Sequence, residues 1–591
     1  MALLSSTKAS IVAFGVSLLF FQKSQACTNI LVTPGASEDG NSMIAYNADS
    51  GSLMGMLYHY PSQSNMANMK RKIYNWDTGV YLGEIPETNS TYNVVGNTNE
   101  RGLVIAETTF GGLDILDPKN QPGAKLDYGS LIYVTLQRAE FAREAILLMG
   151  ELLDEFGYAS EGESFSLADR KGEVWIMEMI GRGGFGVGAA WVARKIPDGY
   201  VSAHSNQARI TTFPRNVEDC LHSDDVVQLA KDIGVYTSPD DDPNDLNFSF
   251  SDTYDPLTFM GARASEARSW SIFSSFLPET SFQSAYEDYA LGNDLTHRMP
   301  LWIQPSNKLS YNDLVKAMSS HYENTALASD SDPSAGQNNA PYRPRPLEWT
   351  HEGKTYHNER TVGTHQTGWN FIAQIRLSFP TPIASLLWFA VDDSSTSPRF
   401  PVYGCSTYVS EAYGGMGTQD GVPSSLLKFD LGHAFWVQNM VSNFVYSRWR
   451  DAYPVLQQEL ARVQSNFHSQ VQAFDAKLIE SYTKGDKDDT IEMVTSATQF
   501  SVSAGDEMHK SWLEFYGILF SRFRDFFEIL PDDKEPSCNC QVKEIGFTES
   551  WKETIIKETG TRYECGNDSL DLHNVHDNLR SSNGIKESRQ K

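Results

Sequence analysis

Residues 27–50 read Cys27-Thr28-Asn29-Ile30-Leu31-Val32-Thr33-Pro34-Gly35-Ala36-Ser37-Glu38-Asp39-Gly40-Asn41-Ser42-Met43-Ile44-Ala45-Tyr46-Asn47-Ala48-Asp49-Ser50. Thr28 to Thr33 is rich in β-branched residues, Asp39-Gly40 is a strong turn signal, and Ser42 to Asn47 returns to strand character. The stretch therefore spells an antiparallel hairpin. With its turn centred near Ala36 to Asp39, counting outward sets Cys27 opposite Asp49 or Ser50 and brings Asn47 and Asp49 beside it. The hairpin also starts at a telling place. Residues 1–26 read as a secretion leader, in which Lys8 precedes the apolar run Ile11 to Phe21 and Ser24 and Ala26 are the small residues a signal peptidase accepts. The expected mature chain begins at Cys27.

A cysteine at a mature N-terminus carries a nucleophile and a base on one residue. Its thiol ionises at about 8.5 and its α-amine at about 8, so moving the proton from sulfur to nitrogen is nearly level in energy. Any polar group favouring the ion pair then supplies a thiolate at neutral pH. An uncleaved chain has an amide there, which cannot accept the proton, so leader removal would double as activation. A carboxylate at Asp49 could accept hydrogen bonds from the terminal ammonium. Two alternatives stand beside this reading. Cys27 could be one more half-cystine among the six cysteines Cys27, Cys220, Cys405, Cys538, Cys540 and Cys565. It could also be an acylated lipoprotein cysteine, although Ser24 stands where a lipobox usually has leucine.

Composition narrows the partners. The 591 residues are 40% hydrophobic and 21% charged, a globular balance, and the formal charge is −27. Such a polyanion repels nucleic acid and anionic lipid, which leaves small molecules or peptides as ligands. After the leader, the longest apolar run is Pro382 to Val391, too short for a membrane span. The expectation is a mature protein free of the membrane, either secreted or lysosomal or vacuolar. N-x-S/T sequons at Asn89, Asn247 and Asn567 are compatible with that route.

Further β signals follow the first hairpin. Asn99-Glu100-Arg101-Gly102 is a turn returning into Leu103 to Phe110. Phe165 to Ala168, Val174 to Ile180 and Ala190 to Ile196 form three more strands, and Pro197-Asp198-Gly199 turns into Tyr200 to His204. Read in order they make an antiparallel meander ending at Ser205-Asn206-Gln207. Together with Cys27-Thr28-Asn29, Asn47-Ala48-Asp49, Glu107-Thr108-Thr109-Phe110 and the helix-like Gln137 to Gly157, these stretches resemble the dipeptidase A and secernin-like family of N-terminal nucleophile cysteine peptidases. Ala168-Asp169 with Trp175 and Glu178, Ala267-Arg268 before Trp270, Glu359-Arg360-Thr361, Gln374, and Leu387-Trp388-Phe389 with Asp392-Asp393 look like further blocks of it. The likeness runs in order from Cys27 to about residue 480.

The resemblance implies an α+β fold, the four-layer αββα sandwich of N-terminal nucleophile hydrolases, and hydrolysis of dipeptides without cofactor or metal. By position it implies catalytic roles for Cys27, Asp49, Asn206 and Arg268. Asn206 would donate to the oxyanion, and Arg268 would be the cation supporting the thiolate or the nearby carboxylate. Thr109 falls where some relatives have a further polar group, and Tyr46 stands where relatives often have arginine. A linear-amide acylase using the same apparatus, or a non-catalytic secernin-like trafficking protein with Cys27 bridged, are the rival readings.

Other signals point elsewhere. Gly181-Arg182-Gly183-Gly184-Phe185-Gly186 fits G-x-G-x-x-G but lies between strands and opens no helix, so it reads as a hairpin connection and not a dinucleotide site. Asp240, Asp242 and Asn244 begin like a calcium loop, which Asp245 and Ser251 at its sixth and twelfth positions break. His204 reads as a satisfied core histidine, since the amine already fills the role of base. Cys538, Cys540, Cys565, His573 and His576 could be drawn as a zinc site, but a bridge from Cys565 to Cys538 or Cys540 suits a secreted chain better. Leu456, Leu460, Val463, Phe467, Val471, Phe474 and Leu478 recur at helical spacing, and Met508 to Leu530 is a second helical segment. Such a stripe packs on its own domain, with a homo-oligomer seam as the alternative. The expected organisation is a leader at 1–26, a catalytic domain at 27–430, a helical extension at 431–530 and a polar, cysteine-containing tail at 531–591.

Overall fold

The computed structural model describes residues 27–215, 217–238, 245–415, 425–483, 486–531 and 540–565. Residues 1–26, expected to be a leader, lie outside them, as do Asn567, Cys538, His573, His576 and the Asp240 to Asn244 segment. The chain is a mixed α/β protein with two large antiparallel sheets. Ten strands form most of these sheets: β1 Thr28–Val32, β2 Ser42–Asp49, β3 Val104–Phe110, β4 Gly162–Ala168, β5 Val174–Gly181, β6 Ala189–Lys195, β7 Val201–His204, β8 Thr367–Ile375, β9 Ser385–Val391 and β10 Phe400–Tyr403. The first sheet runs from the short strand Trp302–Ile303 through β7, β1, β2, β8 and β9 to β10. The second runs from Cys220–His222 through β6, β5, β4 and β3 to the short strands Thr98–Asn99, Val94–Val95 and His59–Tyr60. Every residue of β1, β2, β4, β5, β8 and β9 is buried. Burial on both faces suits the apolar runs Ile30 to Val32 in β1 and Leu386 to Val391 in β9, because a sheet covered on both sides needs no polar side.

The two sheets touch through their middle strands, with β1 and β2 lying against β3 and β4. Helices α1 Tyr128–Leu136 and α2 Ala142–Phe156 pack on the second sheet. Helices α3 Ala267–Phe276 and α4 Tyr311–Met318 pack on the first. The helical stretch expected at Gln137 to Gly157 is thus α2 alone, and the connection before it is held by Asn99, whose amide donates to Leu136 O at 2.7 Å and Ala139 O at 2.9 Å. Helices α5 Ala434–Ser447, α6 Trp449–Ser481 and α7 Lys487–Arg522 lie against β9 and β10. The stripe on α6 is buried at Leu456, Val463, Phe467, Val471 and Leu478. Among the described residues no helix is long and apolar enough to cross a membrane.

Four expectations need correction. Thr28 pairs with Asn47, so continuing the register sets Cys27 against Ala48 and not Asp49 or Ser50. The one-turn helix Pro34–Ala36 tightens the start of the connection, and the hairpin centre falls between Ser37 and Glu38. The meander also breaks at Pro197-Asp198-Gly199: β6 stays in the second sheet, whereas β7 crosses to pair with β1 in the first. Thr33 fixes this crossover, its hydroxyl oxygen accepting from the N–H groups of Gly199 at 3.0 Å and Tyr200 at 3.1 Å. The second helix begins at Lys487, and the chain beyond Arg522 turns into a strand, Phe527–Pro531, paired with Cys540–Glu544. Finally, Cys565 is an exposed free thiol, so the bridge expected there is absent. It lies beyond the helix Glu549–Thr559 and the one-turn helix Gly560–Tyr563, at the end of the described chain.

Candidate active site

The pleat sorts the ends of β1 and β2 onto two faces. Residues paired across the hairpin share a face, so Cys27 and Tyr46 look toward the second sheet while Thr28, Asn47 and Asp49 look toward the helices. Cys27 is buried, and its thiol donates to Glu107 Oε1 at 3.3 Å. The Tyr46 hydroxyl donates to Cys27 Sγ at 3.5 Å and makes a short contact with the same Glu107 oxygen. Glu107 in turn hydrogen-bonds Glu163, which accepts from Thr109 Oγ1 at 3.1 Å.

On the other face, Asp49 is locked between Arg360, whose guanidinium donates to Oδ2 at 2.8 Å, and Thr367, whose hydroxyl donates to Oδ1 at 2.6 Å. Its backbone N–H is directed at Cys27 Sγ. Arg268, near the start of α3, spans the strand ends. It donates to Cys27 O at 2.7 Å, Thr28 Oγ1 at 2.8 Å, Ser205 O at 3.1 Å and Asn206 Oδ1 at 2.8 Å. Asn206 follows β7 in the left-handed region at φ +58°, a conformation asparagine tolerates better than most residues. Its amide nitrogen donates to Thr109 O at 2.5 Å, leaving its second N–H for another acceptor.

Sequence reasoning therefore named four residues that the fold brings together, and the cation expected near the thiol or the carboxylate, Arg268, interacts through its charge with both Cys27 and Asp49. Arg268 does not bond the sulfur; it clamps the backbone of Cys27 and the side chain of Asn206, and the direct cation on Asp49 is Arg360. Glu107, Glu163 and Arg360 were missed as site residues. A signal existed for the first: Glu107 is a lone acid between Val104 and Phe110, in the strand read at Leu103 to Phe110. His204 is a core group, bonded to Thr108 at 2.6 Å, Ser166 at 2.7 Å and Asn29 at 3.3 Å. Burial, with Arg209 adding to it, holds its ionisation down to about 3, so the ring is neutral.

Burial dominates the electrostatics. It pushes the Cys27 thiol well above its usual value, with Glu107 and then Asp49 adding to the effect. Burial likewise raises Asp49 to about 6 against the opposing pull of Arg360, and lowers Arg268 to about 9 with Arg360 assisting. Glu107 and Glu163 are both raised by burial, which fits one proton held between two carboxyls. The Tyr46 hydroxyl and the Asp49 N–H oppose that rise at Cys27 without overcoming it. Among the described residues no group of three or more His, Cys, Asp or Glu is placed to hold a metal ion.

Comparison with known proteins gives this arrangement its class, a cysteine-type peptidase. The profile of peptidase family C69 matches residues 26–460, and the chain belongs to that family. Among its relatives are dipeptidase A of Lactobacillus helveticus, 24% identical over 463 residues covering 73% of this chain and 85% of the relative. A probable dipeptidase of Salmonella dublin is 25% identical over 410 residues, 66% of this chain and 84% of its own. Probable dipeptidase A of Streptococcus pyogenes serotype M3 is 22% identical over 477 residues, 78% of this chain and 91% of its own.

Proposed function

We propose that the chain is a dipeptidase whose nucleophile, Cys27, becomes N-terminal when residues 1–26 are removed. The observation that carries this reading is the thiol at the start of β1, walled by Tyr46 and Glu107, with Asn206 held beside the same residue by Arg268. Freed of its leader, Cys27 gains an amine that accepts the thiol proton. The thiolate attacks the peptide carbonyl, and Asn206 with backbone N–H groups stabilises the oxyanion. The ammonium protonates the departing amine as the C–N bond breaks. The same amine then takes a proton from water, which cleaves the thioester and returns the thiolate.

The paired sheets with helices packed on each support the four-layer αββα sandwich of N-terminal nucleophile hydrolases as the fold. Within it the catalytic unit spans 27–430, with 431–530 packed on the first sheet. Asn89 and Asn247 are exposed, which suits glycosylation in a secreted or lysosomal protein. The test is to purify the processed protein, sequence its N-terminus and assay dipeptides beside N-acylated amino acids. A terminus at Cys27 with dipeptide hydrolysis is expected. Hydrolysis of N-acylated amino acids alone, or full activity with residues still preceding Cys27, overturns the reading.

A further inference from the structure

Every donor that reaches the two acids beside Cys27 is neutral. On Glu107 Oε1 these are the Cys27 thiol at 3.3 Å and the Tyr46 hydroxyl, and on Glu163 Oε2 the Thr109 hydroxyl at 3.1 Å. Both acids are buried, Glu107 being 2% exposed and Glu163 0%. Apart from the proton that the two carboxyls share, no donor among the described residues reaches Glu107 Oε2 or Glu163 Oε1. A further charge acting on both is a third acid, Asp77, which accepts from the Tyr128 hydroxyl at 2.9 Å. Arg268 and Arg360 are committed elsewhere around the strand ends, to Cys27 O, Asn206 and Asp49. One shared proton leaves the pair with a net negative charge, and a buried charge without a counter-ion is strongly destabilising until one arrives.

The position of that charge says which cation it fits. Glu107 Oε1 touches the sulfur that must attack. At attack the carbonyl carbon sits about 3–3.5 Å from the nucleophile. In a dipeptide the α-nitrogen lies two bonds beyond, about 2.5 Å from that carbon. The substrate's α-ammonium is therefore within about 6 Å of the sulfur whatever the side chains, inside the reach of an acceptor that itself contacts the sulfur. The reaction also frees this acceptor: when the thiol proton passes to the Cys27 α-amine, Glu107 Oε1 loses the thiol as a donor. An ammonium taking that place offsets the repulsion between thiolate and carboxylate.

We propose that Glu107, with Glu163 behind it, binds the α-ammonium of the substrate's first residue, so that the enzyme requires a free amino group next to the carbonyl that Cys27 attacks. The inference rests on the dipeptidase reading and adds to it the group that recognises the amino end of the substrate. A substrate lacking that amine leaves thiolate and carboxylate facing each other with no positive charge between them.

The test compares Ala-Ala with propionyl-alanine, which differs only in carrying hydrogen in place of the α-ammonium, on the processed enzyme and on Glu107→Gln. The wild type is expected to favour Ala-Ala by about 10- to 100-fold in kcat/KM, the size of one charge-assisted contact. Glu107→Gln should bring the two substrates nearly level, mainly through loss on Ala-Ala. In the wild type the preference should also be full below about pH 8 and fall above it, because Ala-Ala then loses the charge on its amine. Titrations of the enzyme itself act on both substrates and cancel in the ratio. This second measurement needs no variant, and it decides the matter if Glu107→Gln fails to fold. Equal loss on both substrates with the preference kept means that Glu107 serves the thiol or the amine of Cys27 instead, and overturns the site. A wild-type ratio near one, or one indifferent to pH, overturns it too, and in each of these cases the dipeptidase reading stands. A wild type inert toward Ala-Ala overturns the dipeptidase reading and this inference with it.

Discussion

Cys27 does nothing alone; its neighbours set what it can do. Replacing it with alanine should abolish peptide hydrolysis while leaving the circular dichroism spectrum unchanged, since a small side chain replaces another at the start of β1. Asn206 offers a graded test. Asn206→Gly suits the left-handed backbone at φ +58° and so isolates the loss of the side chain. It should lower kcat by about 10²- to 10³-fold, the usual cost of one oxyanion donor, with KM little changed. Asp49 predicts the pH dependence. Its carboxyl ionises at about 6, above the ordinary carboxylate range, because burial outweighs Arg360. The folded state therefore takes up an extra proton that the unfolded chain does not, a stabilisation that is full below about 4 and is lost as pH rises through about 6. Catalysis runs the other way, because only the charged form pairs fully with Arg360. The acidic limb of kcat/KM should rise through an apparent pKa near 6, and Asp49→Asn should flatten that limb. A limb unchanged in the variant would assign it to another group.

At the scale of the element, the strands were legible and their sheet membership was not. Period and turn residues located β2 through β7 to within a few residues, because local sterics and hydrogen bonding decide where a strand starts and stops. Nothing in Pro197-Asp198-Gly199 says that the chain leaves one sheet for the other. That outcome depends on Thr33, more than 160 residues earlier in the chain, accepting the N–H groups of Gly199 and Tyr200. The same long-range pairing explains why Asp49 was legible as a site residue while its partner was not: Arg360 is 311 positions away. The crossover delivers Asn206 to Cys27, so it can be probed through Thr33. Thr33→Val keeps the shape but leaves the Gly199 N–H without its acceptor, while Tyr200 N–H retains Pro197 O at 3.1 Å. It should cost about 1–3 kcal/mol in urea unfolding. The pH profile of the surviving activity should match the wild type, because no titrating group of the site is touched.

For the whole molecule, the question is whether residues beyond 430 are an appendage. The apolar stripe of α6 was readable from its spacing, but its polar anchor was not, since Asp475 reads as an ordinary acid on a helix face. In the fold its carboxylate bonds Arg376 at 2.5 Å and the Tyr403 hydroxyl at 2.7 Å, all three largely buried. Arg376 directly follows β8 and Tyr403 ends β10, so this one acid ties the helical region to the sheet that holds Cys27. Removing a partner from a buried ion pair strands the other charge, which typically costs about 3–5 kcal/mol. Asp475→Ala should therefore lower unfolding stability by about that much, and Asp475→Asn by less, because an amide oxygen still accepts from Arg376. Ending the chain at residue 430 goes further: it strips α5, α6 and α7 from β9 and β10 and leaves Arg376 without its carboxylate. Such a truncation should fail to accumulate as soluble, active enzyme, although Cys27, Asp49, Asn206 and Arg268 are all retained. A soluble, cooperatively unfolding 27–430 fragment with wild-type kcat/KM would show the opposite, that the helices are dispensable to the site.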